Sequence, residues 1–151
     1  MKIKLNDLKK SHNFNKKKIM HNINEIINQS DFILGEKTKV LEKKLNQFLK
    51  CKYSTTVSSG TDALQIALMA LGIKRGDEII IPAMTWISTG EVIKILGAKV
   101  KFVDIKISDG TINEDLLEES ISKKTKGIIA VSLYGNTPNF NKLKKIALKY
   151  K

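Results

Sequence analysis

The residues in this sequence best suited to bind a ligand are three small ones, Ser59, Gly60 and Thr61. The β-branched segment Thr55–Ser58 leads into them, and from Asp62 onward apolar residues recur at helical spacing, so the pattern predicts a strand, a tight turn and a helix start. The first turn of a helix leaves backbone N–H groups unpaired at the positive end of the dipole. Small residues at that point allow an anion such as a phosphate to approach, and the Thr61 hydroxyl could add a hydrogen bond.

The same residues also have an ordinary structural explanation. A serine or threonine followed by an acid, here Asp62, is typical of N-capping with a carboxylate in the first helical turn. Taken alone, the residues favour this capping interpretation. The sequence contains neither G-x-x-x-x-G-K-[ST] nor a G-x-G-x-x-G after a strand, which removes the main support for a nucleoside triphosphatase or a dinucleotide-binding protein.

Trp86 is the second candidate, and it is the only tryptophan. It follows the predicted strand Glu78–Ile81 and begins a predicted helix, Trp86–Leu96. In an open parallel sheet the loops after successive strands converge on one rim, so residues 59–61, 82–86 and 134–136 are expected to lie together. From spacing alone, Trp86 fits equally well facing that crevice or bridging helix and sheet in the core.

Longer stretches around these residues resemble the DegT/DnrJ/EryC1/StrS family of pyridoxal-phosphate-dependent sugar aminotransferases. The stretches that carry the resemblance are "FILGEKTKVLEKKL", "VSSGTDALQIALMALGIKRGDEIIIPAMTWISTGEVIKILGAKVKFVDI" and "TKGIIAVSLYGNTPNF". They run from Phe32 to near the end of the chain. Within the family, "GTDALQIALMALG" and "VSLYG" are most similar to enzymes that aminate a 3-keto nucleotide sugar of the acetamido-uronic acid type.

The resemblance implies roles for particular residues. Gly60, Thr61 and Asp62 match the turn that receives the 5′-phosphate of pyridoxal 5′-phosphate, and Trp86 matches an aromatic residue that stacks on its pyridine ring. The Asp62 amide could donate to the phosphate, whereas its carboxylate is expected to cap the helix or point aside. Tyr134 and Asn136 could contact the substrate or a second subunit.

The resemblance also implies that the reacting groups lie elsewhere. A transaminase needs a lysine that forms the Schiff base and an acid that keeps the pyridine nitrogen protonated. In the family both occupy positions expected downstream of Lys151, and none of the lysines here matches the Schiff-base position. The sequence is therefore interpreted as the N-terminal portion of a longer enzyme, with no catalytic residue of its own.

The alternation of strands and helices predicts an α/β fold with a mostly parallel sheet and helices on both faces. The resemblance implies that this is the N-terminal part of the large domain of a fold-type-I aminotransferase, incomplete. Residues 1–50 form a predicted helical arm with helices around 19–27 and 40–49. Residues 51–151 form the first part of the truncated cofactor-binding domain. The predicted elements of that domain are strands 55–58, 78–81, 100–103 and 127–133 and helices 62–71, 86–96, 113–121 and 141–150, with Asn113 as an N-cap.

Composition restricts the partners. The net charge is +12, but Arg75 is the only arginine among 27 basic residues, and arginine forks with aromatic platforms are what specific nucleic-acid readers use. His12 and His21 have no ligand partner at metal-binding spacing, so no metal site is expected. With one cysteine, Cys51, and no apolar run long enough to span a membrane, the sequence favours a cytoplasmic protein without a membrane partner.

The function that the resemblance implies is transfer of an amino group from glutamate to a keto nucleotide sugar, in a homodimer that serves surface-polysaccharide or amino-sugar biosynthesis. Two alternatives remain open. The first is a non-catalytic remnant, or a basic α/β module that binds anions or a partner. The second is a sugar dehydratase of the same family, in which histidine replaces the Schiff-base lysine.

Overall fold

The computed structural model describes residues 7–150, and the chain divides into two compact units between Thr56 and Val57. The first unit contains two helices and the second contains a sheet with its covering helices. The helices are α1 (Leu8–Gln29), α2 (Glu36–Leu49), α3 (Gly60–Ala70), α4 (Ser88–Ile95), α5 (Leu117–Ser120) and α6 (Phe140–Lys149). The strands are β1 (Glu78–Pro82), β2 (Lys99–Val103) and β3 (Thr125–Ile128).

The two helices of the first unit lie where the apolar spacing predicts them. The connection between them is fixed by Asp31, whose carboxylate accepts a hydrogen bond from the Glu36 backbone N–H at 2.7 Å. Gly35 precedes α2, and a Cβ atom there would stand 2.6 Å from atoms of Asp31. Only glycine therefore allows this close connection. Lys37 on α2 pairs with Glu25 on α1 at 2.6 Å and lowers the pKa of that carboxyl.

The predicted strand at 55–58 is wrong: the structure has no strand there. The Thr56 N–H and hydroxyl both donate to the Glu42 carboxylate, at 2.8 and 2.9 Å, and the Ser54 hydroxyl donates to the Glu42 carbonyl. The two Thr56 bonds lower the pKa of the Glu42 carboxyl. The extended segment thus satisfies its polar groups against a side chain of α2 instead of against a neighbouring strand.

The second unit is built on three parallel strands in the order β2-β1-β3. The central strand is apolar on both faces, and its side chains alternate between two clusters. Ile79 and Ile81 pack on one face with residues of α3 and α4, among them Leu68 and Val92. Ile80 packs on the other face with a second group: Val103, Ile112, Leu117, Leu143 and Ile146. The prediction of an α/β fold with helices on both faces of a parallel sheet is confirmed.

Two predicted elements are shorter than expected. The strand predicted at 127–133 ends at Ile128, and its last ladder bond runs from the Ile129 N–H to the Ile80 carbonyl at 2.9 Å. The next donor toward β3 would be residue 82, which is a proline and has no N–H, so the pairing stops. The helix predicted at 113–121 divides into a 3-10 turn, Glu114–Leu116, followed by α5, while Asn113 is the predicted cap and accepts from the Asp115 N–H at 3.1 Å.

Candidate cofactor-binding site

The small-residue turn forms the start of α3, and Ser59 is its N-cap. The Ser59 backbone is extended, with φ −155° and ψ 166°, and its hydroxyl oxygen accepts a hydrogen bond from the Asp62 N–H at 3.1 Å. This bond satisfies one of the unpaired donors of the first turn. The capping interpretation of the sequence therefore describes part of the site correctly.

Asp62 turns its carboxylate back toward the two serines. It accepts hydrogen bonds from the Ser58 hydroxyl and from the Ser59 hydroxyl, the latter at 2.8 Å. The Ser58 bond, followed by the Ser59 bond, lowers the pKa of the Asp62 carboxyl, which is therefore ionised at neutral pH. The carboxylate thus bonds to the side chain of the cap residue Ser59 and to Ser58, while the cap itself is the bond from the Asp62 N–H to the Ser59 hydroxyl.

Gly60 and Thr61 provide the free donors of the turn. Neither backbone N–H, nor the Thr61 hydroxyl, has a hydrogen-bond partner among residues 7–150. A Cβ atom added at Gly60 would meet nothing within 4 Å, so an open approach leads to its backbone. Two N–H groups at the positive end of an 11-residue helix, with a hydroxyl beside them, fit one phosphate group.

Trp86 lies in the loop between β1 and α4, two residues before the helix begins. Its side chain is 76% exposed, so it does not bridge helix and sheet in the core of this unit. Two hydrogen bonds fix the backbone and side chains of this loop on either side of position 84. The Ala83 N–H donates to the Val103 carbonyl at 2.8 Å, and the hydroxyls of Thr85 and Thr89 lie 3.0 Å apart, with Thr89 buried.

The turn and the Trp86 loop open on the same edge of the sheet. Helix α3 packs on the β1 face through Leu68 and is joined to β1 by the short loop 71–77. Helix α3 is therefore antiparallel to β1, and its N-terminus lies toward the carboxyl end of that strand. At this end of β1, Pro82 leads into the loop that contains Trp86. The segment after β3, which contains Tyr134 and Asn136, leaves from the same edge because the strands are parallel.

Sequence reasoning missed an ion cluster that surrounds the buried Glu114 in the segment after β2. Glu114 is only 4% exposed, and its carboxylate accepts from the Asn139 N–H at 2.9 Å and pairs with Lys106 at 3.1 Å. Lys106 also pairs with Asp109 at 3.3 Å. The residue spacing around Glu114 does not indicate this cluster. Glu114 resembles an ordinary acid in the first turn of a helix, and its partner Asn139 lies 25 residues away in the sequence.

The cluster holds all three groups in their charged forms. Burial raises the pKa of Glu114, but the Asn139 N–H, its own backbone N–H and Lys106 outweigh burial and lower it. Burial also lowers the pKa of Lys106, yet its bonds to Glu114 and Asp109 raise it overall. The pKa of Asp109 is lowered mainly by the Thr111 N–H and hydroxyl.

Within residues 7–150, no cluster of histidine, cysteine, aspartate or glutamate is arranged to hold a metal ion. In the same range, none of the helices combines the length and the apolar character needed to cross a membrane.

A sequence profile of the DegT/DnrJ/EryC1/StrS aminotransferase family matches residues 13–151. Among characterised proteins, the UDP-2-acetamido-2-deoxy-3-oxo-D-glucuronate aminotransferase of Pseudomonas aeruginosa is 42% identical over 144 residues. The match covers 95% of this chain and 40% of that enzyme, so the chain spans less than half the length of this relative.

Solved structures of this family have the same backbone fold over part of their length. An aminotransferase of this family from Brucella abortus superposes on 99% of the chain, and on 42% of its own length, with a TM-score of 0.94 and 29% identity. A GDP-4-keto-6-deoxymannose-3-dehydratase that holds a trapped pyridoxal phosphate–glutamate geminal diamine matches 82% of the chain, and 34% of its own length, with a TM-score of 0.77 and 36% identity. These matches identify the fold as that of a part of such enzymes, and the chain belongs to the DegT/DnrJ/EryC1/StrS aminotransferase family.

Proposed function

We propose that this chain is the N-terminal part of a pyridoxal-phosphate-dependent aminotransferase that acts on a keto nucleotide sugar with glutamate as the amino donor. The observation that carries the proposal is the pair of unpaired N–H groups of Gly60 and Thr61 at the start of α3, with open space above Gly60. The 42% identity to an enzyme named for a UDP-linked 3-oxo-glucuronate supports a 3-keto acetamido-uronic acid as the substrate class. Such a reaction serves amino-sugar or surface-polysaccharide biosynthesis.

In this proposal the chain's own residues bind and orient the cofactor. The N–H groups of Gly60 and Thr61 and the Thr61 hydroxyl hold the 5′-phosphate, and the exposed Trp86 ring covers one face of the pyridine ring and excludes water from it. Asp62 keeps its negative charge turned to Ser58 and Ser59, so it shapes the turn without facing the phosphate. When bound, pyridoxal phosphate supplies the electron sink for the amino transfer.

The Schiff-base lysine and the acid at the pyridine nitrogen belong, in this proposal, to the part of the enzyme that follows Lys151. We further propose residues 1–50 as the helical arm, residues 51–151 as the beginning of the cofactor domain, and a cytoplasmic homodimer as the working form. The expectation of a homodimer rests on the family resemblance.

Turnover tests the proposed function. The full-length enzyme, supplied with glutamate and a UDP-linked 3-keto acetamido-uronic acid, is expected to form 2-oxoglutarate and the 3-amino sugar in equal amounts. Loss of a sugar hydroxyl instead of amino transfer would favour the dehydratase alternative, for which the 36% identity to a dehydratase is the supporting observation. An enzyme that does neither, and that retains no cofactor, would contradict the proposal and leave the non-catalytic alternative.

A second prediction concerns Trp86. If its ring lies on the cofactor, pyridoxal phosphate added to the apo enzyme should strongly quench Trp86 emission, and removal of the cofactor should restore it. The matched control is Trp86→Phe, which keeps an aromatic ring but removes the indole signal, so the difference between the two proteins isolates Trp86. Emission from Trp86 that does not respond to the cofactor would refute the stacking role.

A further inference from the structure

The segment Leu133–Asn139 contains an unusual backbone conformation. Tyr134 has φ 54° and ψ 21°, in the left-handed region, and is followed by Gly135 with φ 84°. A positive φ is natural for glycine but strained for a bulky aromatic residue. Conformations of this kind persist only where the surrounding structure holds them, and they concentrate at functional sites.

Two hydrogen bonds hold this segment to the loop after β2. The Asn136 side-chain amide donates to the Asp109 carbonyl oxygen at 2.7 Å, and the Asn139 N–H donates to the Glu114 carboxylate at 2.9 Å. The second acceptor is itself fixed, because Glu114 is buried and paired with Lys106. The segment is therefore anchored on the C-terminal side of Tyr134 by one bond to the Asp109 carbonyl and by one bond to the buried Glu114 carboxylate.

Within residues 7–150, the Tyr134 side chain is neither buried nor hydrogen-bonded in this conformation. It is 81% exposed, and its hydroxyl has no hydrogen-bond partner in the part of the chain that the structure describes. A strained, anchored backbone that presents an aromatic side chain to solvent lacks a structural explanation within this unit. The segment leaves the carboxyl edge of the sheet, where the Gly60–Thr61 turn and Trp86 also lie.

We propose that Tyr134 contacts the nucleotide-sugar substrate and contributes to its selection, and that Asn136 is a positioning residue that holds it there through the Asp109 carbonyl. This inference rests on the proposed aminotransferase function. Asn136 itself is not the substrate contact, since its amide is already engaged. The Tyr134 ring offers an apolar face for a sugar or base and a phenol hydroxyl for a hydrogen bond.

Because Tyr134 has a left-handed backbone conformation, a glycine variant can separate a role in substrate binding from a role in stability. Tyr134→Gly removes the side chain and at the same time relieves the backbone strain, so the folded enzyme should be at least as heat-stable as the wild type. In the full-length holoenzyme we expect the KM for the keto nucleotide sugar to rise about tenfold or more, while the KM for glutamate and the cofactor absorbance stay unchanged. A stabilised enzyme with weakened substrate binding cannot result from a merely structural role.

Asn136→Ala tests the positioning role. It should raise the same KM in the wild-type background and have no further effect in the Tyr134→Gly background, because the two residues act as one unit. An unchanged KM in Tyr134→Gly, or a changed oligomeric state with an unchanged KM, would overturn the inference. These results differ from failure of the proposed function, in which the wild-type enzyme itself would neither load pyridoxal phosphate nor transfer an amino group.

Discussion

Gly60→Leu is expected to weaken retention of pyridoxal phosphate by more than any other single change at the small-residue turn. The Gly60 and Thr61 N–H groups must approach the phosphate oxygens closely, and a leucine side chain would occupy the space that the anion needs. The loss should equal or exceed about 1.5–3 kcal/mol, which is the range for a hydrogen bond to a charged group. Equilibrium dialysis or absorbance titration of the full-length apo enzyme measures it.

The surroundings of Gly60 indicate that weaker cofactor binding in Gly60→Leu would not result from a loss of fold stability. A Cβ atom at Gly60 meets nothing within 4 Å, and the residue does not have a positive φ, so the fold itself does not require glycine here. The thermal midpoint of Gly60→Leu should therefore stay close to that of the wild type. The matched control is Ala70→Leu, which places a leucine at an exposed position at the other end of α3 and should leave cofactor affinity unchanged.

Thr61→Val tests the hydroxyl separately, since valine keeps the shape of the side chain and removes only the donor. Cofactor affinity should fall by about 1.5–3 kcal/mol, or roughly 10- to 100-fold. If both variants bind pyridoxal phosphate as tightly as the wild type, the turn is only the helix cap that Ser59 and Asp62 already form.

The sequence predicts the second unit well because its signals are local. Three successive isoleucines in β1 indicate a strand covered on both faces, and they divide between the two apolar clusters as that pattern requires. Glycines 72 and 97, both with positive φ, end the helices that the periodicity predicts. Neither feature depends on residues far away in the chain.

The errors arise where a distant residue decides the outcome. Residues 55–58 have strand-like composition, but Glu42, 14 residues before Thr56, takes up the hydrogen bonds of that segment. The strand after Thr125 stops early because Pro82, on a neighbouring strand, lacks the next donor. The buried position of Glu114 depends on Lys106 and Asn139, which no local pattern connects to it.

The candidate site shows the same division between local and distant information. The start of α3 at the small-residue turn and the Ser59 cap follow from neighbouring residues, so the sequence predicts both. The exposure of Trp86 and the anchoring of Tyr134 depend on how the loops after β1, β2 and β3 pack at one edge, which requires the fold. This is why spacing alone left two placements open for Trp86.

A polypeptide of these 151 residues alone is expected to show no aminotransferase turnover. A Schiff-base lysine needs a lowered pKa so that its neutral amine can react. Lys106 and Lys149 have the opposite property, because their bonds to carboxylates raise their pKa values. The proposed function places the Schiff-base lysine outside these 151 residues.

The sheet of this polypeptide also has an unprotected apolar edge. In the described range β3 pairs only with β1, and its other side borders a groove of about 650 Å³ whose lining includes Ile128, Ala130, Phe140 and Leu143. Unpaired strand edges next to apolar surface favour association with other chains. We therefore expect poor solubility at high concentration, improved when the remaining part of the enzyme is co-expressed.

Labelling of lysines separates an incomplete active site from a complete one. The purified 151-residue polypeptide is mixed with pyridoxal phosphate at a concentration where it stays in solution, reduced with borohydride and mapped by peptide mass. Weak labelling scattered over many surface lysines is expected, because in the proposed site the small-residue turn and Trp86 hold the cofactor without a covalent bond or an acid at the ring nitrogen. Rapid, stoichiometric labelling of one lysine, together with conversion of glutamate and a keto nucleotide sugar, would show that these residues contain their own reactive amine and that the interpretation as part of a larger active site is wrong.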